Sequence, residues 1–82
     1  MTRLARILAS ALANPASLTF SELQRLAIAA GFQLARVKGS HHVYKKAGVP
    51  EIIDLQPKGK DAKAYQVRQV IELIERYKID IE

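Results

Sequence analysis

Eighty-two residues supply one hydrophobic core and too little chain for a second, so a single domain over residues 1–82 is expected. The chain is 49% hydrophobic and 26% charged, an ordinary globular balance, and it has no cysteine, which excludes disulfides, thiolate metal sites and cysteine nucleophiles. Its net charge is +5, which favours a polyanionic partner; surface lysines that merely keep a small protein in solution would give the same number.

The first nine residues superficially resemble a signal peptide. Their apolar positions fall instead at helical spacing, and Asn14-Pro15 stands where a cleavage box needs small residues. Leu4, Ile7, Leu8, Ala11 and Leu12 predict a short amphipathic helix over about residues 2–13, ended by Asn14-Pro15. No apolar run approaches the roughly 20 residues needed to span a bilayer, so no membrane association and a soluble, cytoplasmic protein are expected.

A second helix is announced by Thr19-Phe20-Ser21-Glu22, a capping box, with Leu18 and Leu23 placed as a hydrophobic staple. Leu23, Leu26, Ala27 and Ala30 mark its buried stripe, and Gly31 supplies a left-handed terminator. Beyond Gly31 the period becomes alternating. Turn formers at Gly39-Ser40, Gly48 to Pro50 and Pro57 to Gly59 bound three antiparallel strands, near Phe32 to Lys38, His41 to Lys46 and Glu51 to Gln56. A final helix is expected from Asp61 as N-cap, with Val67, Val70, Ile71, Ile74 and Lys78 along one side and Tyr77 and Ile81 at its end. The order is α-α-β-β-β-α, an α+β fold whose three-stranded antiparallel sheet carries helices on one face and leaves the other to solvent.

The positive charge is concentrated. From Arg36 to Lys63 there are seven cations (Arg36, Lys38, Lys45, Lys46, Lys58, Lys60, Lys63) against three anions (Glu51, Asp54, Asp61). Within this stretch lie the only two histidines, His41 and His42, directly after the Gly39-Ser40 turn. An imidazole takes and gives protons near neutral pH, so beside an RNA phosphodiester it can remove the 2'-hydroxyl proton or protonate the leaving oxygen, with no metal or other cofactor. Lys38, Lys45 and Lys46 can hold the phosphate, Gly39 admits close backbone approach, and Ser40 offers a hydroxyl or an N–H.

Consecutive strand side chains point to opposite faces, so only one of the two histidines faces the open sheet; the pattern does not choose between them. A strand histidine is also commonly just a structural hydrogen-bonder. Asp54 is placed to orient an imidazole across the sheet, or simply to be solvated. Lys58, Lys60 and Lys63 read as phosphate-positioning residues or as plain surface charge. Tyr65 and Tyr77 read as packing rather than base-stacking residues, and Arg68, Glu72, Glu75 and Arg76 as an exposed ion-paired helix face. Ser40, His41 and Asp54 can be assembled on paper into a triad, but nothing in their spacing supports one. No phosphate-binding loop, dinucleotide fingerprint or metal pair is present in the sequence. A binding module without catalysis and a protein-interaction module remain alternatives to an enzyme.

The strings Gly31-Phe32 and Arg36-Val37-Lys38-Gly39-Ser40-His41-His42-Val43-Tyr44 resemble the HicA family of bacterial toxins, over about Phe20 to Ile74. The resemblance implies a fold like the double-stranded-RNA-binding domain, endonucleolytic cleavage of mRNA, and neutralisation by a HicB-type antitoxin covering the active face; it sets no oligomeric state. It carries the catalytic histidine to His41 first and His42 second, with Gly39 and Ser40 as the turn presenting it. Two departures stand out: the helix over residues 2–13, and a lysine-rich stretch after Gln56 in place of a histidine- or glycine-rich approach to the last helix.

Overall fold

The computed structural model describes residues 2–81; Met1 and Glu82, the two ends of the expected domain, lie outside them. Helix α1 spans Arg3–Ala13, a 3-10 turn Pro15–Ser17, helix α2 Phe20–Ala29, and strands β1, β2 and β3 Gln33–Lys38, His41–Lys46 and Val49–Leu55. A two-residue hairpin follows, β4 at Pro57–Lys58 and β5 at Asp61–Ala62, and helix α3 runs Ala64–Arg76. The main sheet is antiparallel in the order β1-β2-β3.

Helix α2 begins as its sequence dictates. Thr19 Oγ1 accepts from the Glu22 amide at 3.1 Å, and the Glu22 carboxylate accepts from the Thr19 amide at 2.9 Å. Leu18 and Leu23 are both buried around that cap. It ends with Gly31 at φ +96°, where the Gly31 amide donates to Ile28 O and the Phe32 amide to Ala27 O, carrying Phe32 into the core instead of into β1.

Tyr44 of β2 and Ile53 and Leu55 of β3 form the sheet's buried face. Leu23, Leu26 and Ala27 of α2 and Val67, Val70 and Ile74 of α3 cover it. Ile7 and Ala11 bring α1 onto the helical layer, where it packs against α2 and α3. Strand β1 is an edge exposed along its whole length, with a bulge at Ala35. Strand β3 is the other edge and starts at Val49, two residues before the expected Glu51. It tolerates Pro50 because an edge strand has no outer partner needing that amide, so the β2–β3 turn shortens to Ala47-Gly48.

Two expectations for the C-terminal third are corrected. Asp61 is not a helix cap: its backbone pairs with Lys58 across the small hairpin and bridges to Thr19, while the Phe20 amide donates to Lys60 O and the Ala62 amide to Leu18 O. Helix α3 therefore starts later, from Lys63, without a side-chain cap. Lys78 does not continue its buried side either. The helix stops at Arg76, and Lys78 takes the left-handed position at φ +51°, with its amide on Glu75 O and the Ile79 amide on Ile74 O. This closure matches the one at Gly31, built on a residue that pays for its Cβ. Lys78→Gly is accordingly expected to raise stability by about 1 kcal/mol in a denaturant titration.

The end of α3 is tied to the start of β3. The Glu51 carboxylate accepts from the Tyr77 hydroxyl at 2.5 Å and from Arg76 Nη1 at 2.6 Å, and Arg76 also pairs with Glu72 one turn earlier. The Tyr77 hydrogen bond, with the Arg76 guanidinium, holds the Glu51 carboxyl below its ordinary 4.5, and the Glu51 carboxylate pushes the Tyr77 hydroxyl above its ordinary 10.0. A lowered carboxyl pKa stabilises the fold above the unfolded value, and that stabilisation disappears as pH falls through the folded one; the raised tyrosine loses its share as pH climbs past about 10. The melting-temperature difference between the wild type and Glu51→Gln should thus be constant near neutrality and shrink below about pH 4.5.

Candidate active site

The β1–β2 turn is the two residues Gly39 and Ser40, with Gly39 at φ +60° as a hairpin of this length requires at its first position. It delivers His41 as the first residue of β2, and strand parity then decides between the histidines. His41 shares the open face with Val43 and Lys45, whereas His42 shares the helix-covered face with Tyr44, its ring edge-on to Phe20 at 5.1 Å between centroids. His42 Nδ1–H donates to the Ser40 carbonyl at 2.9 Å, pinning the turn from beneath.

His41 is held from both sides. Its Nδ1 donates to the Asp54 carboxylate at 3.0 and 3.2 Å, a pair in which each side chain is 50% exposed. Its Nε2 lies 3.1 Å from Gln56 Nε2. The same amide group reaches Ser40 Oγ at 3.2 Å, and Gln56 Oε1 accepts from Lys63 Nζ at 3.1 Å. Behind Gln56, the carboxamide of Gln66, only 2% exposed, accepts from the Gln56 backbone amide at 3.0 Å and donates to the Tyr65 hydroxyl at 3.1 Å. Ser40 Oγ bonds to Gln56, so Ser40, His41 and Asp54 do not form a serine triad; the arrangement is a histidine–carboxylate pair with an amide on the far nitrogen.

The surroundings are cationic. Lys38 lies directly opposite His41 in register, and Arg36 and Lys45 line a shallow cleft of about 290 Å³ floored by Val43 and bordered by Ile52 and Asp54. A second cleft of about 780 Å³, between the β4–β5 hairpin and α3, collects Lys58, Lys63, Tyr65 and Arg68 around one acid, Asp61; Lys60 projects from the hairpin's turn. Lys46 stands apart from both: on the helix-covered side, its ammonium lies against Gly31. Tyr77 packs against the core as expected, but Tyr65 is 58% exposed and does not. Among the described residues no group of three His, Asp or Glu side chains converges as a metal site.

Sequence reasoning passed over Gln56, Gln66 and, as a site residue, Arg36. Signals existed for all three. Gln56 shares strand parity with Asp54, Gln66 lies at i−4 and i−8 from Val70 and Ile74 on the buried stripe, and Arg36 sits opposite Val43 on the open face.

A search of curated proteins and one of solved structures returned no match. A scan against protein-family models matches the HicA toxin of bacterial toxin-antitoxin systems over residues 20–75, from the first residue of α2 to the last turn of α3 and including the whole histidine hairpin. Helix α1 lies outside the matched residues. The match covers well over half of the chain, which therefore belongs to the HicA family of toxins.

Proposed function

We propose that this HicA toxin is an endoribonuclease that cuts mRNA by histidine acid–base catalysis without a metal, and that a HicB-type protein is the antitoxin partner its family implies. The observation that carries the reading is His41 itself: an imidazole on the open sheet face whose Nδ1–H is committed to Asp54, which leaves Nε2 as the proton acceptor. In this scheme Nε2 takes the 2'-hydroxyl proton, the 2'-oxygen attacks the adjacent phosphorus, the bond from phosphorus to the 5'-oxygen of the next nucleotide breaks, and that oxygen takes a proton from solvent while the imidazolium returns its own to solvent. The products are a 2',3'-cyclic phosphate and a 5'-hydroxyl. Asp54 balances the imidazolium formed on the way.

Lys38, opposite the imidazole, holds the scissile phosphate, and Arg36 and Lys45, further along the same open face, hold its neighbours, with Gly39 and Ser40 shaping the turn beside it. Lys58, Lys60 and Lys63, on the hairpin and at the start of α3, extend the basic track along a flanking length of RNA. His42 supports the turn from the helix side and Lys46 covers Gly31, which gives neither of them direct contact with the reacting phosphate in this scheme. The antitoxin acts by covering the open face. No helix among the described residues is long and apolar enough to cross a membrane.

The test is incubation of the purified protein with structured and unstructured RNA in EDTA. Strand scission is expected. Salt-sensitive binding with no scission at any pH or with any metal would leave a non-catalytic binding module in its place.

A further inference from the structure

The hydrogen bonds around Gln56 fix its orientation. Lys63 Nζ has only protons to give, so the atom it meets at 3.1 Å must be the Gln56 carbonyl oxygen, and the amide group must then face His41 and Ser40. An amide N–H beside His41 Nε2 requires a lone pair on that nitrogen. The proton of a neutral ring is then on Nδ1, where the Asp54 carboxylate, an acceptor only, independently requires it. Donor and acceptor directions therefore agree along the whole chain from Lys63 through Gln56 and His41 to Asp54.

We infer that Gln56 is a positioning residue for His41, keeping Nε2 unprotonated and aimed at the spot the substrate hydroxyl must occupy, with Lys63 fixing which end of Gln56 faces the ring. The inference rests on the proposed nuclease for its functional meaning, but the proton arrangement is a property of the free protein. Asp54 accepts from Nδ1 whether the ring is neutral or doubly protonated, and only the neutral ring is a base. A donor on Nε2 makes the choice, because it bonds only to the neutral ring. The same amide occupies the position of the incoming hydroxyl, so RNA must displace it before proton transfer, and Gln66, gripping the Gln56 backbone, keeps it within reach.

The charged groups around His41 are Asp54 on β3, Lys38 opposite it and Arg36 further along on β1, Lys45 further along its own strand and Lys63 behind Gln56 at the start of α3. Gln56→Glu keeps the shape of the side chain and replaces the donor at Nε2 with an acceptor, while Lys63 keeps its partner as an ion pair and the Ser40 hydroxyl can turn to donate. A carboxylate there calls for an Nε2–H, gives His41 an acceptor at each nitrogen and favours the doubly protonated ring.

The decisive experiment is long-range proton–nitrogen NMR of both histidines in the wild type and Gln56→Glu, alongside pH–rate profiles of RNA cleavage. At a pH where the wild-type ring is neutral, His41 should show an unprotonated Nε2 and a protonated Nδ1. In Gln56→Glu both nitrogens should be protonated at the same pH and the acid limb of the rate profile should move up by about 1–3 pH units. The His42 signals, set by the Ser40 carbonyl, should stay in place and report an intact hairpin. A wild-type His41 carrying its proton on Nε2, or a Gln56→Glu protein with His41 signals and pH profile unmoved, would overturn the inference. Wild-type signals as expected, shifting as expected in the variant, from a protein that leaves RNA uncut would uphold Gln56 as the positioning residue and remove the nuclease.

Discussion

His41→Ala is expected to lower RNA cleavage by at least about 100-fold, the lower end of what a positioned general base contributes, and to relieve growth inhibition when the toxin is expressed without its antitoxin. The fold should hardly notice. His41 is half exposed at the start of a strand, its ion pair with Asp54 is open to solvent, and substitutions at such places stay within about 0.5 kcal/mol. Unchanged melting with lost cleavage is the pattern to look for, measured by thermal unfolding and a labelled-RNA assay on the same preparation. His42→Ala should behave in the opposite way. It removes the hydrogen bond to Ser40 and the edge contact with Phe20, so its effect on cleavage should follow its effect on the hairpin.

Asp54→Asn should reduce cleavage, by less than His41→Ala does, again with little change in stability. The carboxylate makes two contacts with His41 Nδ1, and in the proposed reaction it faces the imidazolium produced when Nε2 takes the proton. Removing that negative charge leaves the imidazolium without the counter-charge that faces it as the proton is transferred. An asparagine can still turn its carbonyl to Nδ1–H, and Gln56 still holds the other nitrogen, so the tautomer survives and the loss should fall short of that in His41→Ala. Rates measured at saturating RNA separate this from binding: the effect belongs in kcat, because Asp54 has no bond to spare for a phosphate that it would in any case repel.

Much of the molecule was legible from local rules. Thr19 and Glu22 wrote the start of α2 in four letters, Gly31 its end, and Gly39 the turn that sets the histidine register. The parts that were not legible depend on partners far away in the chain. Asp61 looks like a helix cap until the segment around Thr19 pairs with it, and Lys78 carries no mark of the left-handed turn that Gly31 advertises at the equivalent position of α2. At the site, parity narrowed the choice to one histidine on the open face but could not name it, because that depends on which face α2 and α3 cover. Gln56 was hidden for a different reason: a glutamine after a strand has no chemistry of its own to draw attention, and it matters only through Lys63 and His41, seven and fifteen residues distant.

The same dependence explains how the lysine-rich approach to α3 fits the site. Placed on and just after the β4–β5 hairpin, it brings Lys63 to Gln56 and gathers Lys58 and Arg68 beside an exposed Tyr65, so this stretch supplies both the orientation of the amide and a basic cleft next to it.

The most direct measurement compares, in EDTA, one RNA with all its 2'-hydroxyls against the same RNA carrying 2'-O-methyl groups, with the ends of every product identified. Only the first should be cut, leaving 2',3'-cyclic phosphate and 5'-hydroxyl termini. Cutting of the methylated RNA, or cutting that requires a divalent metal, would contradict the proposed reaction.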